Sequence, residues 1–363
     1  MLKTLKQVTL GTLKTSGVYR LVEHSRWRRR RLLILAYHGV SLADEHSWNG
    51  ALFMPPDLFR ARLQLIRKYG CTVLPLGDAL RRLYARDLPE KCVAITFDDG
   101  TSDFYQQAYP LLREFDWPVT LYLTTFYCDF NRPVFDVICA YLLWKGRAAT
   151  LNLKQLTGQD MKLDLSAAPA RQAALDELQR FVRKQQQSAE DKDALATSLA
   201  EKLKVDYETV LEKRILHLLN PVEVKQLAAG GVDVQLHTHR HRTPLNRELF
   251  LREIEDNRRR IEAMTGRTPS HFCYPSGHYH PLFSQWLQET GIETATTCEP
   301  GLASPHSDRM LLPRLLDVSS LSPVEFTGWL SGVAATLPRS HLKDGARLED
   351  QFQLGLNRES KTD

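Results

Sequence analysis

Over the first 130 positions, short apolar runs alternate with segments whose apolar residues recur at helical spacing. Residues 32–37 (Leu-Leu-Ile-Leu-Ala-Tyr) are continuously apolar, the pattern of a strand covered on both faces, and the run ends at His38-Gly39. Residues 56–69 carry Leu58, Phe59, Leu63, Leu65 and Ile66 at helical spacing, with Gly70 as the stop. A strand over 71–74, a helix over 76–84, a strand over 93–97, a helix over 109–115 and a strand over 119–124 follow. This alternation predicts a parallel sheet or barrel, with chemistry at the carboxyl ends of its strands.

From about residue 131 the pattern changes to a charged, Gln- and Ala-rich stretch of helical period with no clear strand. Its most polar part, 185–193, reads as a solvated helix turn or loop. The alternation resumes at Asn220-Pro221, an N-cap followed by proline at the first helical position, with Glu223 at the third. That helix stops at Gly230-Gly231, and 232–236 reads as a strand running into His237. The expected organisation is a basic arm at 1–31, an α/β body at 32–130 and 218–335, a helical insertion at 131–217 and a tail at 336–363.

Composition adds limits. A hydrophobic content of 43% and a charged content of 25% are ordinary for a globular chain. The longest apolar run, 137–144, has eight residues, well short of the roughly 20 that span a bilayer. The arm lacks the continuous apolar stretch of a secretory signal. Six cysteines without a Cys-x-x-Cys pair read as reduced, buried thiols. A cytoplasmic protein is therefore expected. The formal charge of +5 is uneven: residues 1–31 hold nine basic side chains against one acid, Glu23, a net +8 that leaves −3 for the rest. A mildly acidic body with no reading motif argues against a nucleic-acid partner.

Three strand ends carry residues of metal-ligand type. Asp98 and Asp99 follow the strand at 93–97, His237 to His241 follow the strand at 232–236, and His38 follows the first strand. Histidines four apart can meet on one face of a helical turn and offer two imidazole nitrogens to one cation. In combination these segments resemble a known family. Thr96-Phe97-Asp98-Asp99-Gly100 and His237-Thr238-x-x-His241 are similar to the first two motifs of the polysaccharide deacetylases, the carbohydrate esterase family 4 or NodB-homology group. Phe272-Cys273-Tyr274-Pro275-Ser276-Gly277 resembles the third motif and Leu312-Pro313-Arg314 the C-terminal one. The opening Tyr37-His38 pair resembles a permuted subtype.

The resemblance implies a distorted (β/α)7-type barrel, here with a helical insertion. It implies a divalent metal, zinc above all, held by Asp99, His237 and His241, with Asp98 as catalytic base. Zinc lowers the pKa of a water to about 7, which makes hydroxide available near neutrality. The Ser276 backbone N–H would stabilise the oxyanion, and His38 would protonate the leaving amine. Many relatives carry Arg in the third motif where this chain has Cys273, so either Arg314 orients Asp98 instead or the base is poorly positioned and activity weak. The implied activity is removal of N-acetyl groups from amino sugars of a polysaccharide, oligosaccharide or glycolipid precursor. Deformylation of a lipid-linked amino sugar and a catalytically inactive glycan-binding barrel are the alternatives. In the arm, Leu2, Leu5, Leu10 and Leu13 fall within one helical arc of about 140°, with Lys6 inside it and Gly11 interrupting. Peripheral contact with the anionic inner face of a membrane and packing on the barrel bottom both stay open for it.

Overall fold

The computed structural model describes residues 2–337, with side chains from Lys6 onward. The apolar runs become strands: β1 (Leu33–Tyr37), β2 (Gly39–Val40), β3 (Phe53–Met54), β4 (Thr72–Val73), β5 (Cys92–Phe97), β6 (Thr120–Leu123), β7 (Thr150–Asn152), β8 (Lys162–Asp164), β9 (Asp233–Leu236), β10 (His271–Cys273), β11 (Thr294–Thr296) and β12 (Leu315–Leu316). The main sheet runs β11-β10-β9-β6-β5-β1-β12, with β4 paired to β5. All its pairs are parallel, in registers such as Leu35↔Ile95 and Leu35↔Leu315. The sheet curls until its ends meet through a bridge between Thr296 and Leu312. The helices Pro56–Lys68, Pro221–Ala229 and Arg247–Thr265 lie around it. The expected distorted (β/α) barrel is the fold observed.

Both faces of the strands are covered, which explains runs without polar alternation. Leu33, Leu35, Val93, Ile95, Phe97 and Leu121 pack into the main core. The alternate residues Ile34, Ala94, Tyr122 and Cys273 form a second cluster with Leu76 and Leu80. Because side chains alternate along a strand, Thr96 shares the face of Ala94. The same parity carries on past the strand end to Asp98.

Residues 131–217 form helices Phe135–Lys145, Ala168–Lys184, Ala189–Leu203 and Tyr207–Glu212, with a core that includes Ile138, Leu142, Leu178 and Leu199. One departure from expectation is the β7/β8 hairpin, where Leu151 pairs with Leu163. Each strand has one apolar residue between two polar ones, too short for alternation to register as a signal. Leu52 and Phe53, at the start of β3, join this core. The insertion rejoins the barrel beside Asp99, where Leu219 N–H donates to Gly100 O (2.8 Å) and Ser102 N–H to His217 O (2.8 Å). The helix at Pro221–Ala229 starts with a full Asn220/Glu223 capping box, as its sequence predicts.

The arm folds into helices Leu2–Thr15, Val18–Glu23 and Arg26–Arg29. Leu10 and Tyr19 are buried against the helix Pro323–Ser331, where a Cβ on Gly328 would lie 2.9 Å from Tyr19 Oη and 3.2 Å from Leu10 Cδ2. Arg28 is fully buried and donates to Leu330 O (3.1 Å) and Arg31 O (2.7 Å), and Lys6 faces Glu325 at 3.6 Å. Leu10 and Leu13 thus turn toward the body. The side chains of Leu2 and Leu5, and the tail beyond Leu337, lie outside the described residues. Among the described residues no helix is long and apolar enough to cross a membrane, and none of the six cysteines is in a disulfide.

Candidate active site

At the end of β5 the chain turns sharply. Asp98 N–H donates to Tyr37 O (2.9 Å), Asp99 takes a left-handed φ of 69°, and Thr124 N–H donates to Asp99 O (3.1 Å). Gly100 follows with φ 85°, and a Cβ there would sit 2.3 Å from Leu123 Cδ1, so only glycine fits. This turn aims the Asp99 carboxylate across to the loop after β9. Its Oδ1 lies 3.2 Å from His237 Nε2 and 3.1 Å from His241 Nε2.

The two histidines do not meet on a helical turn, as their spacing suggested. Residues 237–242 form an irregular loop in which Thr238 (φ 63°) and His241 (φ 56°) are left-handed. Side-chain bonds replace helical ones here, with Arg242 N–H on Thr238 Oγ1 (3.0 Å) and Arg240 N–H on Glu253 Oε2 (2.7 Å). His237 Nδ1 is bonded to Cys273 O (2.9 Å), which turns its Nε2 toward Asp99. His239 points elsewhere, to Thr125 Oγ1 (2.9 Å).

One carboxylate oxygen and two imidazole nitrogens, all buried and within 4.8 Å of one another, form a donor set that fits a divalent cation. Burial would raise the Asp99 carboxyl, but His241, with hydrogen bonds from His237 and His241, holds it well below the usual range. Burial likewise opposes charge on both histidines. His237 is nonetheless raised by its bond to Asp99 and by Asp98, whereas His241 is lowered, with His237 and His38 adding to the effect of burial.

Asp98 has a different partner. Arg314 Nη1 and Nη2 donate to its two oxygens at 2.7 Å each, with both side chains buried. Bidentate geometry of this kind fixes orientation as well as charge. The guanidinium is itself held by Thr96 Oγ1 (3.1 Å) and Thr297 O (3.0 Å), and Cys273 Sγ lies 2.9 Å from Nη2. Burial pushes the Asp98 carboxyl up, yet Arg314's charge and hydrogen bonds bring it below its ordinary value.

His38 stands half-buried at the end of β1. Its charge contributes to lowering both Asp98 and Asp99. Its predecessor is anchored: Tyr37 O–H donates to Asp317 Oδ2 (3.1 Å), and Arg62 Nε donates to the same oxygen (2.9 Å). Ser276 lies in the turn Pro275–Gly277 after β10 with φ 56°. A Cβ on neighbouring Gly277 would lie 2.8 Å from Cys298 Cβ. No hydrogen bond joins His38 or Ser276 to the Asp/His cluster among the described residues. Three buried residues that pattern reading missed support the site. Asp103 Oδ2 accepts the Val40 N–H (2.6 Å), and Glu253 and Asn257 bond the histidine loop. A mid-helix Asn, poor in helix propensity, is the one faint signal of the last.

The family model for polysaccharide deacetylases matches residues 85–139 and 188–295. The Bacillus subtilis protein YxkH, named as a polysaccharide deacetylase, is 21% identical over 306 residues, covering 84% of this chain and 77% of that one. The poly-beta-1,6-N-acetyl-D-glucosamine N-deacetylase of Escherichia coli is 28% identical over 101 residues, 27% of this chain and 14% of that protein. Among solved structures, the Streptococcus pyogenes deacetylase PplD in complex with acetate superposes with a TM-score of 0.53 at 20% identity, over 85% of this chain and 99% of that one.

Proposed function

The chain belongs to the polysaccharide deacetylase family, and from that premise we propose a metal-dependent hydrolase that removes N-acetyl groups from amino sugars of a polysaccharide, oligosaccharide or glycolipid precursor. One observation carries the reading: Asp99, His237 and His241 converge on one point, while Asp98, close beside them, is paired bidentately with Arg314. Two neighbouring carboxylates thereby take two roles.

Asp99, His237 and His241 would hold a zinc ion, which would supply Lewis acidity and lower the pKa of a water toward neutrality. Asp98, kept ionised by Arg314, accepts the proton of the attacking water. Arg314 takes one lone pair of Asp98 Oδ1 and leaves the other for this, whereas Oδ2 also faces Cys273 Sγ. The Ser276 N–H donates to the oxyanion formed from the acyl carbonyl. His38, following the permuted pattern, donates a proton to the leaving amine nitrogen. The fixed guanidinium compensates for the Cys273 departure from the third motif by orienting Asp98 from another strand.

The test is acetate release from N-acetylglucosamine oligomers and from a lipid-linked N-acetyl amino sugar, before and after chelation. Loss of activity on chelation, with recovery on adding Zn2+, is expected. Chelator-resistant release would contradict the metal's role, and formate release from an N-formyl sugar in preference to acetate would redirect the acyl specificity. A peripheral contact with the anionic inner face of a membrane would use Arg20, Leu21, Arg26 and Arg30, which are exposed, because the Leu10 side of the arm is committed to the body. Co-sedimentation with anionic vesicles, comparing the full chain with an Arg20→Glu/Arg26→Glu/Arg30→Glu protein, checks it; equal binding by both would refute it.

A further inference from the structure

Two fully buried polar residues lie one turn apart on the helix Arg247–Thr265: Glu253 and Asn257. We propose that they are positioning residues that set the cation affinity of the site by holding the 237–242 loop in its irregular shape. This rests on the reading of Asp99, His237 and His241 as the cation site.

Asn257 ties together two strand ends. Its Oδ1 accepts the His237 N–H (3.0 Å), while its Nδ2 donates to Leu123 O (2.9 Å) and Thr125 Oγ1 (2.9 Å). Position 237 is thereby locked to the end of β6, whose next residue, Thr124, donates its N–H to Asp99 O. Glu253 grips the far half of the loop. Its Oε2 accepts the Arg240 N–H (2.7 Å), and its Oε1 accepts Arg242 Nε (2.7 Å) and Arg240 Nη1 (3.2 Å). Its backbone carbonyl accepts the His239 N–H (3.1 Å).

The two histidines differ in what orients them. His237 has a ring bond of its own, to Cys273 O, whereas His241 Nδ1 is buried with no partner. Ligating imidazoles are usually aimed by a bond to the second ring nitrogen. With none at His241, its ring is aimed by its backbone, which is left-handed at φ 56° and lies between the two arginines that Glu253 holds. The carboxylate of Glu253 therefore does for His241 what Cys273 O does for His237. Glu253 is the more sensitive of the two clamp residues for this reason.

The experiment measures Zn2+ affinity by competition with a chromophoric chelator, and the visible absorption of the Co2+-loaded protein, in the wild type, Glu253→Gln, Arg242→Met and Ser188→Ala, the cap of the helix Ala189–Leu203. The last weakens a helix cap away from the loop and controls for general loss of stability. Glu253→Gln is expected to weaken Zn2+ binding by about 10–100-fold and to alter the Co2+ spectrum. Arg242→Met, which leaves Glu253 its contacts to Arg240, should show a smaller shift in the same direction and serves alone if Glu253→Gln does not fold. Ser188→Ala should bind as the wild type does. Wild-type affinity in the folded Glu253 or Arg242 variant, or an equal loss in Ser188→Ala, would overturn the inference while leaving the metal site standing. A wild-type protein that takes up no Zn2+ would overturn both.

Discussion

Asp98 and Asp99 are adjacent in the chain and separated in function by geometry. The left-handed φ at Asp99 swings one carboxylate to the histidines, and strand parity sends the other to Arg314. Replacing Arg314 by Lys keeps a charge but loses the fork. With Zn2+ saturating, kcat should fall about 100-fold, because misplacing a reacting group by an ångström costs that much, while KM changes little; steady-state kinetics reads the split. Asp103 carries a second residue-level prediction. Burial, ahead of its hydrogen bonds, pushes its carboxyl up to about 7. The native state therefore binds a proton more tightly than the unfolded chain, so this group's contribution to stability is present at acid pH and declines as pH rises from about 4 to 7. Asp103→Asn removes that decline. Thermal melts between pH 5 and 8 should show the variant gaining on the wild type as pH rises, and a constant offset would contradict the assignment.

The elements differ in how far they could be read. The runs at β1 and β5 were legible because burial on both faces leaves no polar interruption, and the Asn220-Pro221-Glu223 start was legible because capping is local chemistry. The β7/β8 hairpin was not, having one apolar residue per strand. The His237/His241 pair was legible as residue types but not as geometry. Its loop shape comes from Glu253 and Asn257, contacts set by a helix that begins after the loop ends. The pairing of Arg314 with Asp98, 216 residues apart, depends on barrel closure, which local periodicity cannot encode. The turn that presents Ser276 has its own constraint in Gly277, with φ 67° and Cys298 against its α-carbon. Gly277→Ala should cost at least about 1 kcal/mol in urea denaturation, from strain and overlap together; an unchanged midpoint would contradict it.

At the scale of the whole molecule, the split between a +8 arm and a −3 body takes on a structural meaning. Leu10, Tyr19 and Arg28 of the arm are built into the barrel's outer layer, and Gly328 is small where Leu10 and Tyr19 dock. Deleting residues 1–31 should lower the melting temperature by several degrees, since burial of each large apolar side chain contributes about 1.5–3 kcal/mol. A body that melts unchanged would make the arm a mere appendage. The insertion rests on Leu52 and Phe53 and returns to the barrel beside Gly100. The central claim is that a held cation and an oriented Asp98 act together on an N-acetyl group. The most direct measurement is acetate release from N-acetylglucosamine oligomers by the wild type and by Asp98→Asn, each loaded with one equivalent of Zn2+. General-base catalysis predicts a fall of about 10²–10⁴-fold in kcat for the variant with its metal retained; equal rates at equal metal content would contradict the account.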